Sequence, residues 1–410
     1  MAINTRGRNK RYLIEKEGSD VTFFRDFENS HSPVSVLSPN DISRGSYVGI
    51  FTATRSATTP ATYVNKNGVI ETLLLSNVER FTHGFYDTTG FVVRPGIIME
   101  LTSANLIPKS SVIDDATWAE LNTTAENADT GSSSPDGTVT APSLTATDAN
   151  GTLLLASAVT ARTYSVFLKR KTGTGNIDIT ADSGATWTTV TVYDYKWVRV
   201  QVTAASASQT CGIRIVTSGD AVYVWGNQFE AQPYATTLIP TTSVALTRNV
   251  EVIKFPISGN MTDTQSVFFK YTPFSTFAND SSNRNLLQTD TKNRIIGKIS
   301  TNVPLNSLAN STDNGTVFKV ATTTPQASVS YVHASVFQHV SPYISVYTNG
   351  VLEATYTAGD YTAPAWGTNF WVGCSTSSAN QINGIIQAVA MFSGVKSAAE
   401  VVAITEVLNF

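Results

Sequence analysis

Charge is scarce in this chain. Only 14% of its 410 residues are Asp, Glu, Lys or Arg, against roughly 25% in ordinary soluble domains. With a formal net charge of −3 it has no basic field to hold a phosphate backbone, which takes many Lys and Arg contacts. The overall charge therefore makes no electrostatic case for nucleic acid, and none is expected as a partner. Cysteine is nearly absent: Cys211 and Cys374 stand far apart, with no CxxC or His-Cys spacing. They read as buried free thiols, not as a disulfide framework. The four histidines, His31, His83, His333 and His339, show no metal-ligand spacing, so no metal is assigned to them. No apolar run approaches the ~18 residues a membrane span needs, and no apolar core follows the basic start as in a signal peptide. The expectation is a protein made in the cytoplasm that stays soluble.

What is present is threonine, nearly as frequent as all charged residues together. Its branched Cβ favours pleated strands, while Ser, Asn and Gly clusters supply turns. The composition predicts an all-β protein with hydroxyl-rich surfaces. At 410 residues one core is too few, and two or three domains of roughly 100–200 residues are expected.

Residues 1–48 mix charges with Pro and Ser turns and read as an extended arm lying along another subunit or partner. Its start is basic through Arg6, Arg8, Lys10 and Arg11. Those charges could grip an acidic partner surface or nucleic acid, or form a solvated tail, the commoner reading of a short basic start. Residues 49–107 read as a β-hairpin module. Asn65–Gly68 turns between ATYV and VIETLLL, and Asp87–Gly90 turns between two further apolar pieces. Residues 122–150, rich in Thr, Ser and Asp, read as exposed loops or weak edge strands carrying little core.

From there period-2 runs recur: TYSVFLKRK, NIDITAD, TWTTVTVY, KWVRVQVTA, CGIRIVTSG and AVYVWGNQFEA. Short strands at this spacing predict an antiparallel β-sandwich of jelly-roll type over 108–235. Residues 236–249 read as an extended, Thr-rich linker. A second sandwich over 250–410 follows, with a hairpin at Asn349–Gly350. One C-terminal helix ends it, where Ser397 and Glu400 form a capping box.

The segment Phe51–Ile107 resembles a module of tailed-phage virion proteins. The resemblance rests on Arg55-Ser56-Ala57, Ala61-Thr62-Tyr63-Val64, Asn67-Gly68, Arg80-Phe81, Asp87 and Ala104-Asn105-Leu106, all in the family's order. Glu79 stands where the family has proline, and Ile98-Met99-Glu100 where it has Ile-Glu-Glu. The seam Trp225–Arg248 is similar to the phage pattern Trp-Gly-x-Gln-Leu-Glu-Ala followed by Leu-Ile-Pro-Thr-Thr and Thr-Arg, with Phe229 in place of leucine. That pattern closes a carbohydrate-binding-module-like jelly roll. The C-terminal runs ISVYTNGVLEA, FWVGCS and GIIQAVAMF resemble the closing half of a concanavalin-A-like or laminin-G-like sandwich.

The resemblance implies a structural component of a tailed-phage virion: a fibre, spike or capsid decoration. Its N-terminal arm would contact other virion proteins, its sandwiches would face host-surface glycans, and the chain would form a homo-oligomer, such proteins usually being trimers. A purely architectural decoration protein is the alternative, and a polysaccharide-degrading tailspike a third.

Chemistry is thinly represented. A glycosidase needs two carboxylates facing across a sugar, and the clearest same-face pair, Asp178 and Asp182, sits at a turn. The Glu-x-Asp-x-x-Glu strand of the sandwich glucanases is absent, so no enzyme is expected. Gly173 and Gly175 in KTGTGN lack the Lys-Ser/Thr of a phosphate loop and read as a hairpin turn. Sugar binding needs flat aromatic faces. Trp197, Trp225 and Trp371 lie within apolar strands and read as core, leaving Trp187 and Trp366 as candidate carbohydrate-binding residues. Asp290 and Asp313-Asn314-Gly315 offer oxygens that calcium could use, but turn formation explains them without an ion, and no cofactor is assigned.

Overall fold

The computed structural model describes residues 21–26, 52–55, 59–257, 264–274, 284–289, 294–300, 303–311, 315–320, 323, 325–357, 368–375 and 380–409. The described chain is all-β with one terminal helix, as alternation and threonine content predict.

In the first sandwich the strand Gly151–Thr172 pairs antiparallel with Val198–Ile215 along most of its length. The sequence reading splits the second run into KWVRVQVTA and CGIRIVTSG and begins the first only at Thr163. Instead each is one strand, because the Ala- and Ser-rich middles contain nothing that forces positive φ. Register shifts around Ala161 take up the bend. One half of Gly151–Thr172 then pairs with Trp118–Leu121 and the other with Ala221–Glu230. The eight-stranded sheet so formed wraps a core that includes Leu153, Tyr164, Val166, Ile213, Val224 and Phe229. Thr123–Asp129 and Ala141–Ala146 pair at its edge. The 122–150 stretch is therefore edge strand, and it puts Leu144 and Ala146 into the core.

The C-terminal sandwich has two sheets. One runs Val351–Tyr356, Ile344–Thr348, Tyr331–Phe337, Gln265–Pro273, Gly384–Ser393. The other includes Val252–Pro256, Asn369–Val372 and Arg284–Thr289. Val267, Phe269 and Tyr271 point between the sheets to meet Phe255, Leu287 and Phe370. Phe268, on the opposite face, packs with Phe392 under Val401, Ile404 and Leu408 of the helix Ala398–Asn409. That helix starts with the expected box: the Ser397 amide donates to Glu400 Oε2 at 2.7 Å and the Glu400 amide to Ser397 Oγ at 3.3 Å. Asn349 (φ 51°) and Gly350 (φ 81°) make the expected hairpin turn. Both thiols are free and buried, Cys211 in the first core and Cys374 in the second.

The 49–107 stretch joins this second sandwich through backbone pairing. Its hairpin Phe81–Asp87/Gly90–Met99 extends the first sheet, with Ile97–Met99 paired to Gly384–Ile386. Val21–Asp26 continues along the same edge of Gly384–Ser393. Thr52–Thr54 pairs with Val252–Lys254 in the second sheet. Ile97 and Met99 are fully buried members of the C-terminal core.

Candidate functional site

The seam after the first sandwich is extended and held from both sides. Ile239 N donates to Gln228 Oε1 at 2.6 Å, Asn105 Nδ2 to Ile239 O at 3.0 Å, and Thr62 Oγ1 to Leu238 O at 2.6 Å. Tyr234 is buried and its hydroxyl accepts from Arg284 Nη2 of the C-terminal sandwich at 2.6 Å. Residues 232–241 thus form a strap touching the hairpin module and both sandwiches.

Beneath the strap lies a buried ion cluster. Glu100 accepts from Arg80 Nη2 at 2.5 Å, pairs with Arg248 Nη1 at 3.0 Å, and accepts from Thr237 N and Oγ1, each at 2.6 Å. Arg80 also reaches Glu251 at 3.0 Å. All four ionisable side chains are buried. Burial alone would raise the Glu100 carboxyl, yet the guanidinium groups of Arg248 and Arg80, with the Thr237 hydrogen bonds, bring it down to about 2. Burial raises the Glu251 carboxyl, against the pull of the same arginines. Arg55, also buried, donates to Thr59 O at 3.1 Å and Leu73 O at 3.2 Å. A second carboxylate, Glu230, accepts from Ser103 Oγ, Gln228 Nε2 and Thr236 N.

These are largely the residues that carry the phage resemblance. Arg55, Thr62, Arg80, Glu100, Asn105, Gln228, Glu230, Leu238, Ile239 and Arg248 converge on one junction, although they lie up to about two hundred positions apart in the chain. The signal in the sequence was the motif set; the pairing among its members is long-range.

Beside the cluster opens a cavity of about 350 Å³. Tyr63, Phe85 and Tyr86 of the hairpin module, Phe167 and Arg199 of the first sandwich, the strap at Ala235–Leu238, and Phe274, Ala327 and Ser328 of the second sandwich line it. Tyr86 meets Phe167 edge-on at 5.5 Å, and Phe85 meets Phe274 edge-on at 5.3 Å. Tyr86 donates to Gly68 O at 2.7 Å, and Tyr63 to Glu71. Burial, then the Glu71 contact, pushes the Tyr63 hydroxyl up to about 12. Arg199 donates through Nη2 to Ser165 Oγ at 3.0 Å and lies over the Phe167 ring at 5.4 Å. Sequence reasoning missed this site: alternation in KWVRVQV gives Arg199 a face but says nothing of what faces it.

The residues singled out for sugar binding and anchoring lie elsewhere. Trp187 is half-buried with the Arg214 guanidinium 4.6 Å over its ring. Trp366, Arg6, Arg8, Lys10 and Arg11 lie outside the described residues, as do Asp290, Asp313 and Asn314. Asp178 takes a forked contact from Arg214 Nε at 2.9 Å and Nη2 at 2.6 Å. Asp182 accepts from Thr180 and Thr186 and so holds its turn. Gly173 (φ +78°) turns against the Asp220 carboxylate, which leaves no room for a Cβ there, and the Gly175 amide donates to the same group at 2.7 Å. Trp225 is core, Trp371 packs against the C-terminal core, and Trp197 is half-buried, donating to Ser133 O at 2.9 Å.

No family model matches the chain, and no curated protein does. Among solved structures it is similar to the botulinum neurotoxin serotype D binding domain, at 13% identity and a TM-score of 0.32 over 38% of this chain and 40% of that one. The binding domain of botulinum neurotoxin DC, in complex with rat synaptotagmin II, matches at 11% identity and 0.32 over 39% and 40%. The CBM40 of a Ruminococcus gnavus IT-sialidase, bound to α2,3-sialyllactose, matches at 18% identity and 0.30 over 35% of this chain and 82% of that one. The chain thus spans about two fifths of the neurotoxin domains it matches. Likenesses of this size carry no argument about what it does.

Proposed function

We propose that the chain is a non-enzymatic structural component of a tailed-phage virion, displayed on the particle surface and adhering to host-surface glycans. The observation that carries this reading is the convergence of the resemblance residues. A chance likeness would scatter its members, whereas Arg55, Arg80, Glu100, Gln228, Glu230 and Arg248 meet at one buried junction. The motif set therefore corresponds to a built unit, the hairpin module welded to the close of the jelly roll. The engagement of Asp178 by Arg214, and of Asp182 in its own turn, supports binding over hydrolysis. Virion partners through the N-terminal arm and a homo-oligomeric state belong to the same proposal.

The arm is tested by a deletion that spares the fold. Removing residues 1–45 would also remove Val21–Asp26, which pairs with Gly384–Ser393, so the informative deletion is 1–20. Particles assembled with it should lack the protein, while the purified chain keeps its wild-type melting profile. Normal incorporation of the deleted protein would refute the anchor.

A further inference from the structure

We propose that the junction cavity binds one acidic sugar residue, with Arg199 taking its carboxylate and Tyr63, Phe85 and Tyr86 packing against its ring. This deepens the glycan-adhesion reading and rests on it. The volume, about 350 Å³, is at the small end of ligand sites, which run from roughly 300 to 1,000 Å³. It suits a single ring, not a long oligosaccharide. Aromatic side chains on facing walls offer the flat apolar surface that the C–H face of a sugar needs.

The preference for acid comes from Arg199. Its Nη2 is held by Ser165 and its face by Phe167, so the planar fork is oriented before any ligand arrives. Its Nε is buried and, among the described residues, has no hydrogen-bond partner. The nearby carboxylates are taken by other donors: Glu100 by Arg80, Arg248 and Thr237, and Glu230 by Ser103, Gln228 and Thr236. The guanidinium lines the cavity, and a ligand carboxylate is the group that matches its charge and donors there. The other charge on the lining is Asp87, which accepts from Thr89 N at 2.7 Å and Thr89 Oγ1 at 2.6 Å. An acceptor there favours hydroxyl groups and repels a second carboxylate. Of the charged groups on the lining, Arg199 thus favours an acid and Asp87 favours hydroxyls.

The test is calorimetric titration of the whole chain with methyl β-D-glucuronide, methyl β-D-glucoside and acetate. The glucuronide should bind at least tenfold more tightly than either of the others. Arg199→Gln should weaken it at least tenfold while the chain keeps a cooperative melting transition. Ala327→Trp, which adds bulk to the cavity lining and keeps the Arg199 side chain, provides a second variant and should also weaken binding at least tenfold. Equal binding of glucuronide and glucoside, no better binding than acetate, or wild-type affinity in both variants would overturn the site. A chain that captures host polysaccharide but ignores the glucuronide loses this proposal alone; a chain that binds neither loses the adhesion reading as well.

Discussion

Replacing Glu100 by glutamine should cost the protein about 3–5 kcal/mol, the usual loss when one member of a buried ion pair is removed and its partners stay charged. Arg80 and Arg248 both point at this carboxylate, and neither has water to turn to. The melting midpoint should fall by roughly 10 °C. Glu251→Gln should cost less, because burial disfavours the charge on that carboxyl.

The pH dependence separates the two. The Glu100 carboxyl is lowered from 4.5 to about 2, so its contribution is present above pH 4.5 and is lost as pH falls through about 2. That difference is worth roughly 3 kcal/mol. Glu251 is raised, so its contribution has the opposite sense: full below 4.5 and lost as pH rises through its folded value. Urea titrations of the three proteins from pH 2 to 8 should show a steep acid loss in the wild type and Glu251→Gln, and a flatter one in Glu100→Gln. Equal penalties for both substitutions would mean the cluster is not organised around Glu100.

The second large effect concerns fragments. The stretch 250–410 reads in sequence as a sandwich of its own, yet expressed alone it should fail to fold cooperatively. Without residues 1–107 the outer edge of Gly384–Ser393 loses Val21–Asp26 and Ile97–Met99 together, and Val252–Lys254 loses Thr52–Thr54. Ile97 and Met99 also leave the core between the sheets. Deleting a buried Ile or Met side chain costs about 2–5 kcal/mol, and two of them with an opened sheet edge rival the 5–15 kcal/mol that a whole domain has in hand. The bared edge would template aggregation. The 108–235 fragment keeps its eight-stranded sheet and should melt cooperatively. Co-expressing residues 1–107 with 250–410 should recover soluble material; a soluble 250–410 fragment with a full-chain transition would contradict the shared sheet.

Local signals are legible in this sequence and long-range ones are not. The Asn349–Gly350 turn needs only two residues that tolerate positive φ, and the Ser397–Glu400 box only one helical turn, so both can be read directly. Alternation tells which face of Gly90–Met99 is apolar, but not that its neighbour is Gly384–Ser393, nearly three hundred residues on. The merging of two expected strands into Val198–Ile215 escapes notice because Ala and Ser neither demand nor forbid a turn. At the site, the resemblance motifs mark Arg80, Glu100 and Arg248 one by one, while their meeting depends on the folded strap. Arg199 carries no motif at all. Its interest comes from what surrounds it: Phe167 beneath, Ser165 at one edge and an aromatic cavity in front.

The central claim is adhesion, and binding of the intact chain to an array of host capsule and lipopolysaccharide glycans tests it most directly. The account predicts saturable binding, strongest to glycans bearing uronic or other acidic sugars and reduced at least tenfold by Arg199→Gln. A correctly folded chain that binds no glycan on the array, and none on intact host cells, would contradict it and leave an architectural protein.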